Sequence, residues 1–261
     1  MRYGVCIGLD NCDKVRIAAN SGFDYIECGF GTLARCSDEE FELYKKVLDE
    51  KNIRVEAANG FLPGELKVCG ENVDSDALCA YIEKGMQRGH QIGLKTVVFG
   101  SGGARSLPDG WDYRDGFLQL AEFLRDIAGP IAAKYGIRIV MEPLRRKECN
   151  IINTVKEGVM LAACSERENV GGLADLFHMV EEGDTTEDIK DLKGYLWHAH
   201  ISNPVKRENA NRIYPLGENE FDYKSFIEAL EYSGCERCSI EAACFDFEKE
   251  APVAAQLLKR I

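Results

Sequence analysis

The sequence predicts an α/β protein folded as a single (β/α)8 TIM barrel, and three observations support this fold class. Short apolar or β-branched runs alternate with helical patterns eight times along the 261 residues. That length is close to the roughly 250 residues typical of such barrels. No low-complexity linker divides the chain, so we expect residues 1–261 to form one TIM-barrel domain.

The predicted elements follow one another in strand–helix order. The strands cover residues 3–9, 25–28, 54–58, 96–100, 138–141, 172–174, 195–200 and 238–240. The helices cover residues 12–21, 38–52, 74–93 and about 112–135, then begin near residues 154, 185 and 223, and a last one covers about 250–259. A doubly wound open sheet is the alternative. Residues 9–12, after the first strand, lack the glycine-rich phosphate turn that such a sheet usually has there.

Composition and charge disfavour several classes of partner. The net charge of −12 opposes binding to nucleic-acid phosphates, which relies on clustered Lys and Arg, so we expect no nucleic-acid partner. No apolar stretch approaches the roughly 20 residues of a membrane span, and the first residues lack a signal-peptide pattern. The eleven scattered cysteines fit free thiols in a cytoplasmic protein. Cys235 and Cys238 have CxxC spacing without a second pair, which favours coincidence over a zinc or redox site.

Four predicted strand ends carry side chains of the kinds that bind metals. They are Glu142, Asp175, His200 and Glu241. They recur at intervals of roughly 25 to 40 residues, the spacing of strand–loop–helix units in a barrel. Parallel strands bring equivalent ends to one face of a barrel, so these residues can meet although they are far apart in sequence. The sequence therefore predicts that they converge on one divalent ion.

Each carboxylate also has a structural interpretation. Glu142 precedes Pro143, which favours an extended backbone, and its alternative role is a partner in a structural ion pair. Asp175 is also placed to cap the N-terminus of a following helix. Glu241 lies between Ile240 and Ala242, where burying a charge costs free energy unless it is paired or metal-bound.

The chain has four histidines, and His200 is the one best placed for a metal. His198 and His200 point to the same face of a strand, and the later residue is nearer the rim. His198 is therefore predicted to pack in the core or to support the site. His178, three residues after Asp175, either serves the site or is a partly buried structural histidine. His90 lies on a predicted helix surface.

Two loops after strands have open interpretations. Residues 100–105 are rich in glycine and form either an anion-binding nest or an ordinary turn. Residues 61–64 either fold over a ligand or pack as an ordinary loop.

At this point the chain resembles the xylose-isomerase-like barrel superfamily, and most closely its ketose 3-epimerases of the tagatose/psicose type. The likeness extends over nearly the whole chain. Its most specific part is Glu142-Pro143-Leu144, with Glu148 six residues after the first glutamate and Asn153-Thr154 soon after. The segment Asp175-Leu176-Phe177-His178-Met179 matches the family's Asp-x-Phe-His-Met pattern.

The resemblance implies roles for individual residues. The predicted metal ligands are Glu142, Asp175, His200 and Glu241, and the two glutamates are also the catalytic proton carriers. Glu148 and His178 are expected to contact sugar oxygens. Arg212 matches the family's substrate-binding arginine, but it lies farther from the ligand histidine than the family pattern has it. Arg207 is the rival candidate.

Three carboxylates and one imidazole make an oxygen-rich ligand set that suits Mn²⁺, with Mg²⁺ or Co²⁺ as alternatives. A ketose bound through its carbonyl and neighbouring hydroxyl would lose a proton to give an enediolate. The return of a proton to the opposite face of the same carbon is epimerisation. The resemblance therefore implies an isomerase that epimerises small ketoses at carbon 3.

Several alternatives stay open. An aldose–ketose or hydroxypyruvate isomerase, an inosose dehydratase and a non-catalytic sugar-binding protein would suit the same scaffold. The DNA-repair endonuclease branch needs more histidines than four and conflicts with the charge of −12. The sugar, its phosphorylation and the oligomeric state are open, although family members often pair into homo-oligomers.

Overall fold

The computed structural model describes residues 1–205 and 210–261. In that part of the chain, eight parallel strands pair in sequence order and close into a barrel. The strands are β1 Arg2–Cys6, β2 Tyr25–Gly29, β3 Val55–Asn59, β4 Thr96–Phe99, β5 Arg138–Met141, β6 Val170–Asp175, β7 Leu196–Ile201 and β8 Arg237–Ile240. The predicted (β/α)8 TIM barrel is therefore confirmed.

Helices follow the strands around the outside of the barrel. They are α1 Cys12–Ser21, α2 Phe30–Arg35, α3 Asp38–Glu50, α4 Ser75–Ile92, α5 Gly102–Arg105, α6 Tyr113–Glu122, α7 Gly129–Lys134, α8 Val155–Cys164, α9 Leu176–Glu182, α10 Thr186–Asp191, α11 Tyr223–Ser233 and α12 Phe247–Leu258. A π-helical segment, Phe123–Ala128, joins α6 to α7, so the single helix predicted over residues 112–135 is an unbroken helical stretch of mixed type. The short helices α2, α5 and α9 were not predicted.

Side-chain caps begin several of these helices. Ser37 and Glu40 form a capping box at α3, and Thr154 and Glu157 form another at α8. In each box the hydroxyl accepts from the N3 backbone N–H, while the N3 carboxylate accepts from the backbone N–H of the cap residue. These caps satisfy backbone donors that the first turn of a helix leaves without partners.

The barrel interior is apolar beneath the ends of strands β5 and β6. Val140 and Leu173 lie two residues before Glu142 and Asp175, so their side chains point to the same face of each strand. Val98, Val140 and Leu173 form a buried cluster of their own, separate from the core between barrel and helices. The ends of β5 and β6 therefore rest on packed apolar side chains rather than on an open channel.

Both loops with open interpretations are packed against the body of the protein. Phe61 is fully buried and contacts the rings of Phe30 and Phe99, which supports the ordinary-loop interpretation of residues 61–64. In residues 100–105 the hydroxyl of Ser101 accepts a hydrogen bond from the backbone N–H of Leu62. This contact ties the two loops together.

The described residues give two further findings. No helix in residues 1–205 or 210–261 combines the length and apolar character needed to cross a membrane. All eleven cysteines are free thiols, and both Cys235 and Cys238 are buried.

The inside of the barrel leaves no room for a side chain at Gly4. A Cβ atom there would lie 2.2 Å from the Tyr25 ring. We therefore expect Gly4→Ala to lower the free energy of unfolding by about 1–3 kcal/mol, the usual cost of overpacking a core. Urea denaturation measures this. Gly29→Ala is the matched control, because its Cβ would meet Thr32 Oγ1 at an ordinary 3.6 Å; an equal loss in both variants would contradict the packing argument.

Candidate metal centre at the barrel mouth

The structure brings together the four side chains predicted as metal ligands. One ligand atom from each of Glu142, Asp175, His200 and Glu241 lies within 4.8 Å of the others. The Nδ1 atom of His200 is 2.9 Å from Glu142 Oε1, 2.9 Å from Glu241 Oε2 and 3.4 Å from Asp175 Oδ2. Glu142, Asp175 and His200 are buried and Glu241 is partly buried. The four strand ends thus enclose a small, mostly buried polar site at the C-terminal face of the barrel, where TIM barrels carry their active sites.

The opposite edge of the His200 ring contacts a glutamate that the sequence analysis missed. Glu27 of β2 is fully buried, and its two oxygens lie 2.8 Å from His200 Nε2 and 2.8 Å from His198 Nε2. A sequence signal existed, since a glutamate between Ile26 and Cys28 in a strand is as costly to bury as Glu142. His198 is therefore linked to the site through Glu27. Support of the site is one of the two roles predicted for it.

Asp175 caps a helix with one carboxylate oxygen and faces the cluster with the other. Its Oδ1 atom accepts a 2.9 Å hydrogen bond from the His178 backbone N–H and so caps helix α9. Its Oδ2 atom faces His200 Nδ1 and Arg212. The cap fixes the carboxylate where β6 ends, which leaves the second oxygen directed into the site.

Arg212 reaches the site although it is distant in sequence from the strand ends. Its guanidinium donates to Asp175 Oδ2 and to Glu241 Oε2, each at 2.7 Å. Asn203, which follows β7, and Ile213 exchange backbone hydrogen bonds of 2.8 and 3.0 Å in an antiparallel bridge. This pairing places the neighbouring Arg212 over the mouth. The rival candidate, Arg207, lies outside the described residues.

A second residue missed from the sequence also contacts the cluster. Asn59, the last residue of β3, donates from Nδ2 to Glu241 Oε1 at 3.0 Å. A polar residue at the C-terminal end of a barrel strand was the available signal. With Arg212 on one oxygen and Asn59 on the other, the Glu241 carboxylate is held in one orientation.

The predicted substrate contacts Glu148 and His178 share a neighbour, Arg145. The backbone N–H of Arg145 donates to His178 Nδ1 at 3.1 Å, and its guanidinium donates from Nε to Glu148 Oε1 at 2.6 Å. The same guanidinium lies 4.9 Å from the centre of the Phe177 ring. His178 is buried, whereas the Glu148 side chain is 40% exposed at the rim.

Charge and burial shift the pKa values of the two predicted proton carriers in opposite directions. Burial raises the pKa of Glu142, and the negative charge of Glu241 raises it further. Burial also acts to raise the pKa of Glu241, but His200 and Arg212 outweigh it and hold that pKa below its ordinary value. Burial disfavours a charged His200, yet Glu27, Glu241 and Glu142 together raise the pKa of its imidazole well above the usual range. The site is therefore short of positive charge.

The donor set fits a divalent cation. Three carboxylates face His200 Nδ1, and Arg212 balances one of their charges. On the Nδ1 side of His200 this leaves two negative charges. One divalent ion that displaced the proton from Nδ1 would neutralise them. Hard and borderline ions such as Mg²⁺, Mn²⁺ and Co²⁺ accept such oxygen-rich sets. The cluster is thus a possible carboxylate–histidine metal site.

A second group is less suited to a metal. Cys6, Glu27 and His200 also bring ligand atoms within 4.8 Å of one another. Both oxygens of Glu27 are already engaged by imidazole nitrogens. Burial, with the charge of Glu27, raises the pKa of Cys6, so its thiol stays neutral. Since a thiolate is the form that binds metals, the first group is the better site.

Known proteins resemble the chain in both sequence and fold. D-psicose 3-epimerase of Agrobacterium fabrum (strain C58) is 27% identical over 203 residues, which span 72% of this chain and 66% of that protein. The 3-dehydro-D-guloside 4-epimerase of Escherichia coli (strain K12) is 24% identical over 226 residues, or 84% of this chain and 81% of that one. These names support an isomerase-type enzyme.

The fold comparison agrees. The crystal structure of D-psicose 3-epimerase with D-tagatose from Clostridium cellulolyticum H10 matches with a TM-score of 0.81 at 19% identity, over 100% of this chain and 98% of that one. At this identity the likeness establishes the fold alone. A sequence model of one family, described as Xylose isomerase-like TIM barrel, matches residues 15–261. The chain belongs to the xylose isomerase-like TIM barrel family.

Proposed function

We propose that the chain is a divalent-metal-dependent epimerase that interconverts small ketoses at carbon 3. The observation that carries the proposal is the convergence of two glutamates, an aspartate and a histidine on one buried point at the barrel mouth. The epimerase names of the relatives support the reaction class. Residues 1–261 would act as one catalytic domain.

The ion would be held by Glu142, Asp175, His200 and Glu241. When bound, it supplies a Lewis acid that stabilises the negative charge developing on the ketose oxygens. Mn²⁺ is the proposed ion, with Mg²⁺ or Co²⁺ as alternatives, because oxygen donors dominate the set.

Glu142 and Glu241 would carry the protons. They follow β5 and β8, which are three strands apart around the ring, so the two carboxylates approach the mouth from different strands. A small ketose bound at the mouth would lie next to both. One carboxylate takes the proton from carbon 3, and the other returns a proton to the opposite face. Asn59 and Arg212 hold Glu241 in place for this transfer. Positioned proton transfer of this kind typically contributes about 10²–10⁴-fold to the rate.

Arg212, His178 and Glu148 are the proposed substrate contacts. The Arg212 guanidinium stacks 5.1 Å from the centre of the Phe177 ring, which orients it at the mouth. Its two carboxylate partners, Asp175 and Glu241, are proposed metal ligands. A sugar oxygen bound to the metal ion would therefore also lie near the Arg212 guanidinium.

Carbon 4 is the second candidate position for epimerisation. The relative from Escherichia coli, which aligns with 84% of this chain, is a 4-epimerase of a dehydro-guloside. The same two proton carriers would serve carbon 4 if the ketone were at carbon 3. An aldose–ketose or hydroxypyruvate isomerase, or an inosose dehydratase, would use the same first proton transfer and differ in the second step.

Uptake of deuterium from the solvent identifies the carbon that loses its proton. The enzyme is incubated with Mn²⁺ in D₂O over a panel of ketoses that includes D-psicose, D-tagatose and a 3-keto-glucoside. We expect one deuteron at carbon 3 of the 2-ketoses, with inversion there, because proton return comes from a group that exchanges with water.

NMR of the products separates the outcomes. Label at carbon 4 of the 3-keto sugar favours the second candidate, and loss of water favours a dehydratase. If the sugar binds but no carbon takes up deuterium with any divalent ion, the chain is a sugar-binding protein instead.

Glu241→Gln tests the role of that carboxylate. The amide keeps the shape but cannot take a proton, so we expect the epimerisation rate to fall by about 10²–10⁴-fold. Glu236→Gln is the matched control, since it lies just before the same strand with a side chain that is 78% exposed. Circular dichroism confirms folding of both. Activity of Glu241→Gln within a few-fold of the control would contradict the proposal.

A further inference from the structure

Glu27 lies between two imidazoles inside the barrel. Its carboxylate is 2.8 Å from Nε2 of His200 through one oxygen and 2.8 Å from Nε2 of His198 through the other. All three side chains have no solvent-exposed surface. Strands β2 and β7 are three steps apart around the ring, so this contact crosses the barrel interior.

The chemistry of the contact fixes where the protons are. An ionised carboxylate only accepts hydrogen bonds, so each Nε2 atom that contacts Glu27 must carry a proton and donate it. A neutral imidazole protonated at Nε2 has its lone pair on Nδ1. In His200, Nδ1 is the atom that faces Glu142, Glu241 and Asp175.

We propose that Glu27 is a positioning residue, which sets the tautomer and ring orientation of His200 so that its Nδ1 lone pair points at a cation held by Glu142, Asp175 and Glu241. The inference rests on the proposed metal site and deepens it. A partner on the second ring nitrogen of a metal-binding histidine both orients the ring and strengthens the ligand.

His198 has the complementary task of holding Glu27. Nε2 of His198 contacts Glu27 and, more distantly at 3.5 Å, Ser239 Oγ. Its Nδ1 atom has no hydrogen-bond partner among the described residues. The 2.8 Å contact to Glu27 is therefore the short polar contact of this ring, and it holds the carboxylate oxygen that does not contact His200.

Divalent-ion affinity tests the inference. Glu27→Leu removes both acceptor oxygens, and we expect Mn²⁺ to bind about 10–100-fold more weakly, the usual loss when such a partner of a ligand histidine is removed. Glu27→Gln keeps one acceptor oxygen and should lose less. Glu56→Leu is the matched control: the same change on the adjacent strand β3, where the carboxylate pairs with Arg237 at 2.8 Å instead of with a histidine. Mn²⁺ affinity of the control should stay within about twofold of wild type.

A spectroscopic measurement does not depend on the folding of any variant. Long-range ¹H–¹⁵N correlation spectra of the wild-type protein loaded with diamagnetic Mg²⁺ or Zn²⁺ report the protonated nitrogen of each of the four histidine rings. We expect His198 and His200 to be protonated at Nε2. In Glu56→Leu this pattern should be unchanged.

The outcomes separate this inference from the proposed function. If the wild-type protein binds Mn²⁺ and Glu27→Leu binds it equally tightly, only the role of Glu27 is overturned. The same follows from a metal-loaded spectrum with His200 protonated at Nδ1. Wild-type protein that binds none of these ions overturns the metal site and the inference with it.

Discussion

The concentration of negative charge at one end of the barrel is the constraint on which the rest of the site depends. Glu27, Glu142 and Asp175 are buried, and Glu241 is partly buried beside them. Two like charges about 4 Å apart repel by roughly 4 kcal/mol at the effective dielectric of a protein surface, and by more in its interior. A cluster of this kind persists only with cations or donors among its members. His200, Arg212 and Asn59 supply those that the described residues provide.

The fold supplies these partners from elements far apart in sequence. Asp175 ends a strand and caps a helix, so one oxygen is fixed by the backbone and the other is left for the site. The antiparallel bridge between Asn203 and Ile213 brings the neighbouring Arg212 onto two carboxylates. Glu27 reaches across the barrel to the far edge of the His200 ring. Each contact restricts one side chain of the cluster to one orientation.

Much of the architecture was predictable because it is periodic. Strand–helix alternation gave the barrel, and the recurrence of acidic and imidazole residues at strand ends gave the four members that meet. Glu27 and Asn59 carried only local signals, a glutamate inside an apolar strand and a polar residue at a strand end. Neither signal identifies the partner that the side chain meets across the barrel. Helices α2 and α9 span only six and seven residues, which is too short for a clear helical period. Strand β6 begins at Val170, two residues before the predicted start at residue 172. The Trp197 ring lies 2.5 Å from where a Cβ of Gly171 would be. That glycine reflects close packing rather than chain reversal.

The proposed function requires a single cation that contacts side chains from four different strands. Anomalous diffraction at the manganese edge, from crystals soaked in Mn²⁺, tests this most directly. The account predicts one strong peak in contact with Glu142, Asp175, Glu241 and the Nδ1 atom of His200. A map without a peak there, or with manganese bound only on the outer surface, would contradict it.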